Sequence, residues 1–394
     1  MLVAVVGGNL QGVEAAYLAH KAEWEVLVID KKPAVPASGL CDRFVQLDVT
    51  SKQDWRQVLS GVDLVIPALE EDDALECLSR WTRAEGVPFA FDPAAYVISS
   101  SKIKSNSLFL KIGIPAPQPW PECGFPVMAK PSSSSGSKGV AIFNTQEEMK
   151  GFDIPGNFTG SSVLQEFIQG PSYSLEVIGA HGCYTPIQIT DLEMDATYDC
   201  KRVLAPTILS SDLCRIFEKL SVDIAHALNL QGIMDVEVIL NNGELKVLEI
   251  DARLPSQTPT AVFWSTGLNL VKMLGELFMF PDRPIPRKKD HRGVVYEHIK
   301  VSSSRIEVAG EHIMSGADPL HVQPDFFGAD EAITNFTTGR NNWVATLIIS
   351  APDRNQAWEK RNAVIKTISK KFGLDDMYDS TPDGHESKPK SIEN

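Results

Sequence analysis

Residues 232–260 read GIMDVEVILNNGELKVLEIDARLPSQTPT, two short strand patterns joined at Asn242-Gly243, a tight-turn signal. In the first, Ile233, Val236, Val238 and Ile239 surround Asp235 and Glu237. In the second, Leu245, Val247, Leu248 and Ile250 surround Glu249 and Asp251, with Arg253 following. Side chains alternate between the faces of a strand, so Asp235 and Glu237 share one face while Glu249, Asp251 and Arg253 share a face of the partner. If the two faces coincide, four carboxylates meet beside one guanidinium. Such crowding calls for protonation or a bridging cation, and hard oxygen ligands of this kind suit Mg²⁺ bound together with phosphates. A hairpin whose acids simply face water would carry the same residues, so the decision rests on what lies around it.

Upstream, 125–130 is a strand pattern ending at Lys130, and PSSSSGSKGV over 131–140 is a small-residue loop before another strand at 141–143. Serine hydroxyls and unhindered backbone N–H groups wrap phosphate oxygens well, and Lys130 adds positive charge. GxxxxGK[ST] is absent, which excludes a P-loop; a flexible linker is the competing reading. Strand patterns at 163–168, with Glu166, and 173–178, with Glu176, flank a turn at 169–172. Together these predict a small β-rich domain over 119–180. Before it, a Ser/Lys-rich segment, a helix to Ile112 and the proline-rich IPAPQPWP of 114–121 mark a linker helix over 96–118.

The chain opens as strand, helix, strand: 2–6, 10–22 and 25–29. GGNLQG at 7–12 departs from the dinucleotide fingerprint GxGxxG because Asn9 takes the middle-glycine position, yet Asp30 stands where a ribose-binding acid would be. A nicotinamide-dependent dehydrogenase is therefore a rival reading. Strands at 44–47, 64–67 and 88–91 and helices at 52–59 and 72–85 complete a parallel α/β domain over 1–95. Its ligand site should lie at the carboxyl ends of the strands, near 7–11 and 68–71. That makes Gly8, Asn9, Leu10, Gln11 and Glu70 candidate substrate contacts. Beyond 180 the patterns are a strand at 184–189, a polar stretch at 191–201, helices at 212–228, 268–280 and 355–372, and strands at 294–301 and 343–350. These form a C-terminal domain over 181–374. The polar, aperiodic 375–394 reads as a disordered tail.

A chain of 394 residues with 43% hydrophobic and 22% charged residues has room for two or three domains. Its net charge of −14 argues against nucleic-acid or membrane-surface binding and favours small amine-bearing ligands. Asp195, Asp199, Asp235 and Glu176 are candidate counter-charges for such amines, and Ser256, Thr258 and Thr260 are candidate donors to a carboxylate. The six cysteines are scattered without zinc spacing. With no apolar run of membrane length, they fit a cytoplasmic enzyme with reduced thiols. The sequons at Asn157 and Asn335 then carry no meaning.

Lys102, Lys130 with its Ser/Gly loop, Glu166, Glu237, Glu249, Asp251 and Arg253, taken as an ordered series, resemble the ATP-grasp ligase superfamily. The resemblance implies an α/β chain in which an ATP-grasp fold is preceded by a Rossmann-like parallel α/β domain, with ATP and Mg²⁺ as cofactors. It places Lys102 and Lys130 on the ATP phosphates, and Ser132, Ser133, Ser134, Ser135 and Gly136 in a loop closing over them. Gln165, Glu166, Phe167 and Ile168 would hold adenine. Glu237 and Glu249 would be metal ligands, joined by Asp251, which replaces the usual Asn. Ser172 stands where the family often has a ribose-binding Glu, leaving Glu176 as the candidate in its place. The implied reaction is ATP-dependent amide formation through an acyl phosphate, with Arg253 and Lys130 as catalytic groups on the transferring phosphoryl.

At a finer level GGNLQGVEAAYL at 7–18, TYDC at 197–200, GIMDVE at 232–237, EIDARLPSQTPT at 249–260 and STGLNL at 265–270 are similar to the amino-acid ligases of pyrrolysine biosynthesis. That similarity implies 3-methylornithine and lysine as substrates, no nucleic-acid or membrane partner, and room for a homodimer. The alternative is another ATP-grasp amino-acid or carboxylate–amine ligase.

Overall fold

The computed structural model describes residues 1–51, 55, 57–133, 139–150, 162–281, 283–286 and 291–382. Strands Leu2–Val6, Glu25–Asp30, Arg43–Gln46 and Leu64–Pro67 form a parallel sheet in the order third, second, first, fourth. Their unbroken Val, Leu and Ile runs are what a sheet covered on both faces requires. The helix Leu10–Lys21 fills one face and Asp72–Glu85 the other. The strand expected at 88–91 reduces to a single bridge from Phe89 to Val65. Part of the helix expected at 52–59 lies outside the described residues, and its described members form turns.

Helix Leu10–Lys21 is more than a cover for its own sheet. Val13 and Tyr17 share a core with Ala261, Val262 and Leu270 from far along the chain. The Asn269 amide donates to Leu18 O at 2.7 Å, Trp264 Nε1 to Tyr17 Oη at 2.9 Å, and Tyr17 Oη to Glu331 Oε2 at 2.6 Å. The first domain is thus built onto the last one.

The linker holds two helices, Pro93–Ser99 capped by Asp92 and Lys102–Ile112 capped by Ser101. Ala95, Phe109 and Ile114 from this region pack against Val236, Val238 and Val247 of the acid-bearing hairpin. A three-stranded antiparallel sheet follows, with Val127–Pro131 between Ala141–Phe143 and Ser162–Glu166.

All remaining strands described belong to one eleven-stranded sheet. Ser172–Ala180, expected in the small domain of 119–180, pairs instead with Cys183–Met194 and Gly232–Asn241 in this large sheet. The crossing between sheets therefore falls at 167–171, not at 180. The reason is burial: Tyr173 to Gly179 are covered on both faces, which the small sheet could not provide. The polar stretch of 191–201 also turns out to be strand on both sides of a turn, Cys183–Met194 and Cys200–Ala205.

The tail departs from expectation as well. Asp376–Asp379 is a strand, parallel to Arg305–Val308. All four of its residues are exposed, yet it is held in place, because Asp379 reaches the buried Lys201 and Arg202. The rest of the expected disordered tail, 383–394, lies outside the described residues. Among the described residues, no helix is long and apolar enough to cross a membrane.

Candidate active site

Strands Gly232–Asn241 and Glu244–Asp251 pair antiparallel through Asn242 and Gly243, both at positive φ as a tight hairpin demands. The register sets Asp235 opposite Asp251 and Glu237 opposite Glu249, so the two acidic faces coincide. A bulge after Glu237 strengthens the local twist. Burial pushes the Asp251 carboxyl up to about 7, against the pull of Arg253 beside it, and raises Asp235 to about 6. Glu237 is pushed well up by burial and by the charges of Asp235 and Glu249. Oxygen donors so placed, without a sulfur or imidazole among them, fit a hard divalent cation shared with phosphate. Glu237, Glu249 and Asp251 are the residues that would hold it.

The expected lysines converge on this hairpin from outside it. Lys102 Nζ stands 3.0 Å from Glu249 Oε1. Lys130 is buried at the end of its strand, with Nζ 3.5 Å from Leu248 O, and burial lowers its pKa while Glu249 nearby opposes that. Ser132 ties the two lysine-bearing elements together: its carbonyl accepts from Lys102 N at 2.9 Å and its hydroxyl from Ile103 N at 3.3 Å. Ser133 is exposed. Ser134, Ser135 and Gly136 lie outside the described residues.

The segment expected to hold adenine runs along the edge of the same hairpin. Lys246 Nζ grips the Glu166 carboxylate at 2.8 and 3.0 Å, and Gln165 Oε1 accepts from Asn106 Nδ2 at 3.2 Å. Phe167 and Ile168 follow directly, Ile168 buried. Glu176 is not with this group. It sits fully buried opposite Asp235, and neither of its oxygens has a hydrogen-bond partner of normal geometry among the described residues. Burial and the Asp235 charge raise it to about 8. Its place beside Asp235 withdraws the expected ribose contact.

A cavity of about 570 Å³ separates the hairpin from the first domain. Gly8, Asn9, Leu10, Gln11 and Glu70 line one side, at the carboxyl ends of the parallel strands as the topology requires. Asp199, Asp235, Ser256 and Thr258 line the other. Arg253 joins the two walls, with Nη2 2.6 Å from both Asp251 and Glu70. Thr260 is sealed away from the cavity: it is fully buried, and its backbone N–H donates to Glu14 Oε1 at 2.6 Å. Asp195 serves the wall rather than the cavity, its carboxylate accepting from the backbone of Thr197, Asp199 and Gly310.

Two cavity residues were not legible beforehand. Glu311 Oε2 accepts from Ser256 Oγ and Gln257 Nε2, both at 2.8 Å, and His312 Nδ1 lies 2.6 Å from Asp199 Oδ2. They stand after a four-residue strand in GEHIMS, a stretch with no period to read. The glycines of 7–12 are accounted for by packing. A Cβ on Gly7, at φ 106°, would stand 2.2 Å from Ala68 O, and one on Gly8 would stand 2.1 Å from Val35. Asp30 accepts from Gly8 N and Lys32 N, both at 2.8 Å, so it fastens the turn that the dehydrogenase reading assigned to a dinucleotide.

Residues 99–257 match the ATP-grasp domain family. The 3-methyl-D-ornithine–L-lysine ligase of Methanosarcina mazei is 35% identical over 94% of this chain and 96% of its own length. Its Methanosarcina acetivorans counterpart is 34% identical over 94% and 98%. In three dimensions the biotin carboxylase domain of Hydrogenobacter thermophilus 2-oxoglutarate carboxylase, solved with MgADP, ADP and bicarbonate, superposes with a TM-score of 0.71 at 15% identity, covering 93% of this chain and 89% of that one. The acidic hairpin and the two lysines that reach it lie inside the ATP-grasp match, the relatives match at near-full length, and the chain belongs to the 3-methyl-D-ornithine–L-lysine ligase family of ATP-grasp enzymes.

Proposed function

We propose that this chain joins the carboxylate of (3R)-3-methyl-D-ornithine to the ε-amine of L-lysine at the expense of ATP. The observation that carries the reading is the cavity itself: one wall is the metal-type hairpin, the other the strand ends of the first domain, and Arg253 spans them. The ornithine carboxylate attacks the γ-phosphate, ADP leaves, and the lysine amine displaces phosphate from the resulting acyl phosphate to form the amide. Glu237, Glu249 and Asp251 would hold Mg²⁺, which would neutralise phosphate charge. Lys102 and Lys130 bind the phosphates, and Arg253, fixed by two carboxylates, faces the transferring group in a preset orientation. Gln165 to Ile168 hold the adenine.

Both substrates are cations at their side chains, and the cavity meets them with Asp199, Asp235, Glu70 and Glu311. The test is direct. The protein is incubated with ATP, Mg²⁺, L-lysine and either D-ornithine or its 3-methyl form, and products are fragmented by mass spectrometry. An ε-linked dipeptide with one ADP per bond is expected. An α-linked product, or turnover only with unrelated amino acids, would overturn the substrate assignment.

A further inference from the structure

The turn between strands Cys183–Met194 and Cys200–Ala205 brings Tyr198, Asp199 and Cys200 to the cavity. Immediately behind it Lys201 and Arg202 are almost wholly buried. Two basic side chains cannot stay charged there without partners. Arg202 meets Glu193 and Glu297 and stacks on Trp358 at 5.0 Å, while Arg361 Nε meets Glu297 at 2.8 Å. Three cations, Lys201, Arg202 and Arg361, then face two carboxylates. The third carboxylate comes from the end of the chain. Asp379 Oδ1 lies 2.5 Å from Lys201 Nζ and Oδ2 lies 2.7 Å from Arg202 Nη2, and Lys201 also donates to Ser380 O.

The same segment touches the cavity wall at two further points. Ser380 Oγ accepts from Ala196 N at 3.4 Å, inside the turn. Strand Asp376–Asp379 pairs with Arg305–Val308, whose continuation through Gly310 donates to Asp195 at 2.9 Å and delivers Glu311 and His312 to the cavity. Lys102, Lys130 and Gln165 have partners in Glu249, Leu248 O and Asn106.

We propose that residues 376–380 are a clasp that fixes the amino-acid wall of the cavity, with Asp379 as its positioning residue. It acts on substrate only through the 195–202 turn and the 310–312 segment. Its consequence for substrate rests on the ligase reading above; its structural part does not.

Full-length wild type, Asp379→Asn and Asp379→Glu are compared by steady-state kinetics with D-ornithine, L-lysine and ATP. Asparagine should raise KM for D-ornithine about tenfold, the scale of coupling through a contact network, with KM for ATP unchanged. Glutamate should recover most of the loss. Unchanged constants in Asp379→Asn, or a rise in the ATP KM as large as that for D-ornithine, would overturn the clasp. Ser380→Ala, which removes only one hydroxyl, guards against failure of the first variant to fold. In it, amide exchange over 195–201 should quicken while helix Arg354–Phe372 keeps its protection; equal exchange in both proteins would also overturn the proposal. A wild type that joins neither D-ornithine nor its 3-methyl form to L-lysine defeats the functional reading instead, and the exchange result still decides the clasp.

Discussion

The ammonium of Lys102 lies 3.0 Å from the carboxylate of Glu249, although 147 residues separate them. The proposed phosphate-binding cation and the proposed metal-binding anion are thus held in one place by folding. Glu249→Gln preserves shape but deletes charge, so it should leave the circular dichroism spectrum intact and lower turnover ~100-fold or more, the cost of removing a strong electrostatic contact to a transition state. Near-normal ADP release from that variant would refute the metal assignment.

Arg253→Lys keeps the positive charge and loses the planar guanidinium whose Nη2 meets both Asp251 and Glu70. We expect kcat to fall by roughly 100-fold with a smaller change in the KM for ATP. A variant with wild-type kcat would show that orientation of the guanidinium is unimportant.

Glu311→Gln removes one negative charge from the cavity while keeping an acceptor for Ser256 and Gln257. The KM for D-ornithine or L-lysine should rise ~10-fold, as expected for loss of a charge-assisted contact. The KM for ATP should not move. If both rise alike, Glu311 supports the fold and not the amine.

Glu14 gives a pH signature. Burial pushes its carboxyl up from 4.5 to about 7, against the pull of the hydrogen bond from Thr260. In the unfolded chain the proton leaves near the ordinary value, so between those limits the folded state binds more protons and this residue's contribution to stability falls as pH rises. Glu14→Gln lacks that loss. Denaturation from pH 4.5 to 8 should show the variant gaining on wild type as pH increases, by at most about 3 kcal/mol; a gap independent of pH would contradict the burial argument.

What the sequence disclosed follows from how local each signal is. The hairpin was legible because the Asn242-Gly243 turn and the period-2 pattern both lie within twenty residues and agree. The parallel sheet was legible because its strands are continuous apolar runs. Glu311 was not, since it depends on how strands of four residues return along a sheet, and no local period marks them. Glu176 misled for the same reason. Only cross-strand pairing reveals that it faces Asp235, and a strand pattern says nothing of its partner. Asp379 misled through composition: its strand is exposed, as a polar segment should be, yet its carboxylate pairs with two buried cations.

Helix Leu10–Lys21 is synthesised well before the groups that cover its outer side: Trp264, Asn269 and Glu331 are made some 250 or more residues later. At common elongation rates that interval is on the order of ten to fifty seconds. Throughout it the nascent chain carries Val13, Tyr17 and their neighbours uncovered. Production of this enzyme in a foreign host will therefore depend on chaperone capacity during translation, and slowed synthesis or truncated transcripts will send the amino-terminal third into aggregates rather than into a free-standing domain.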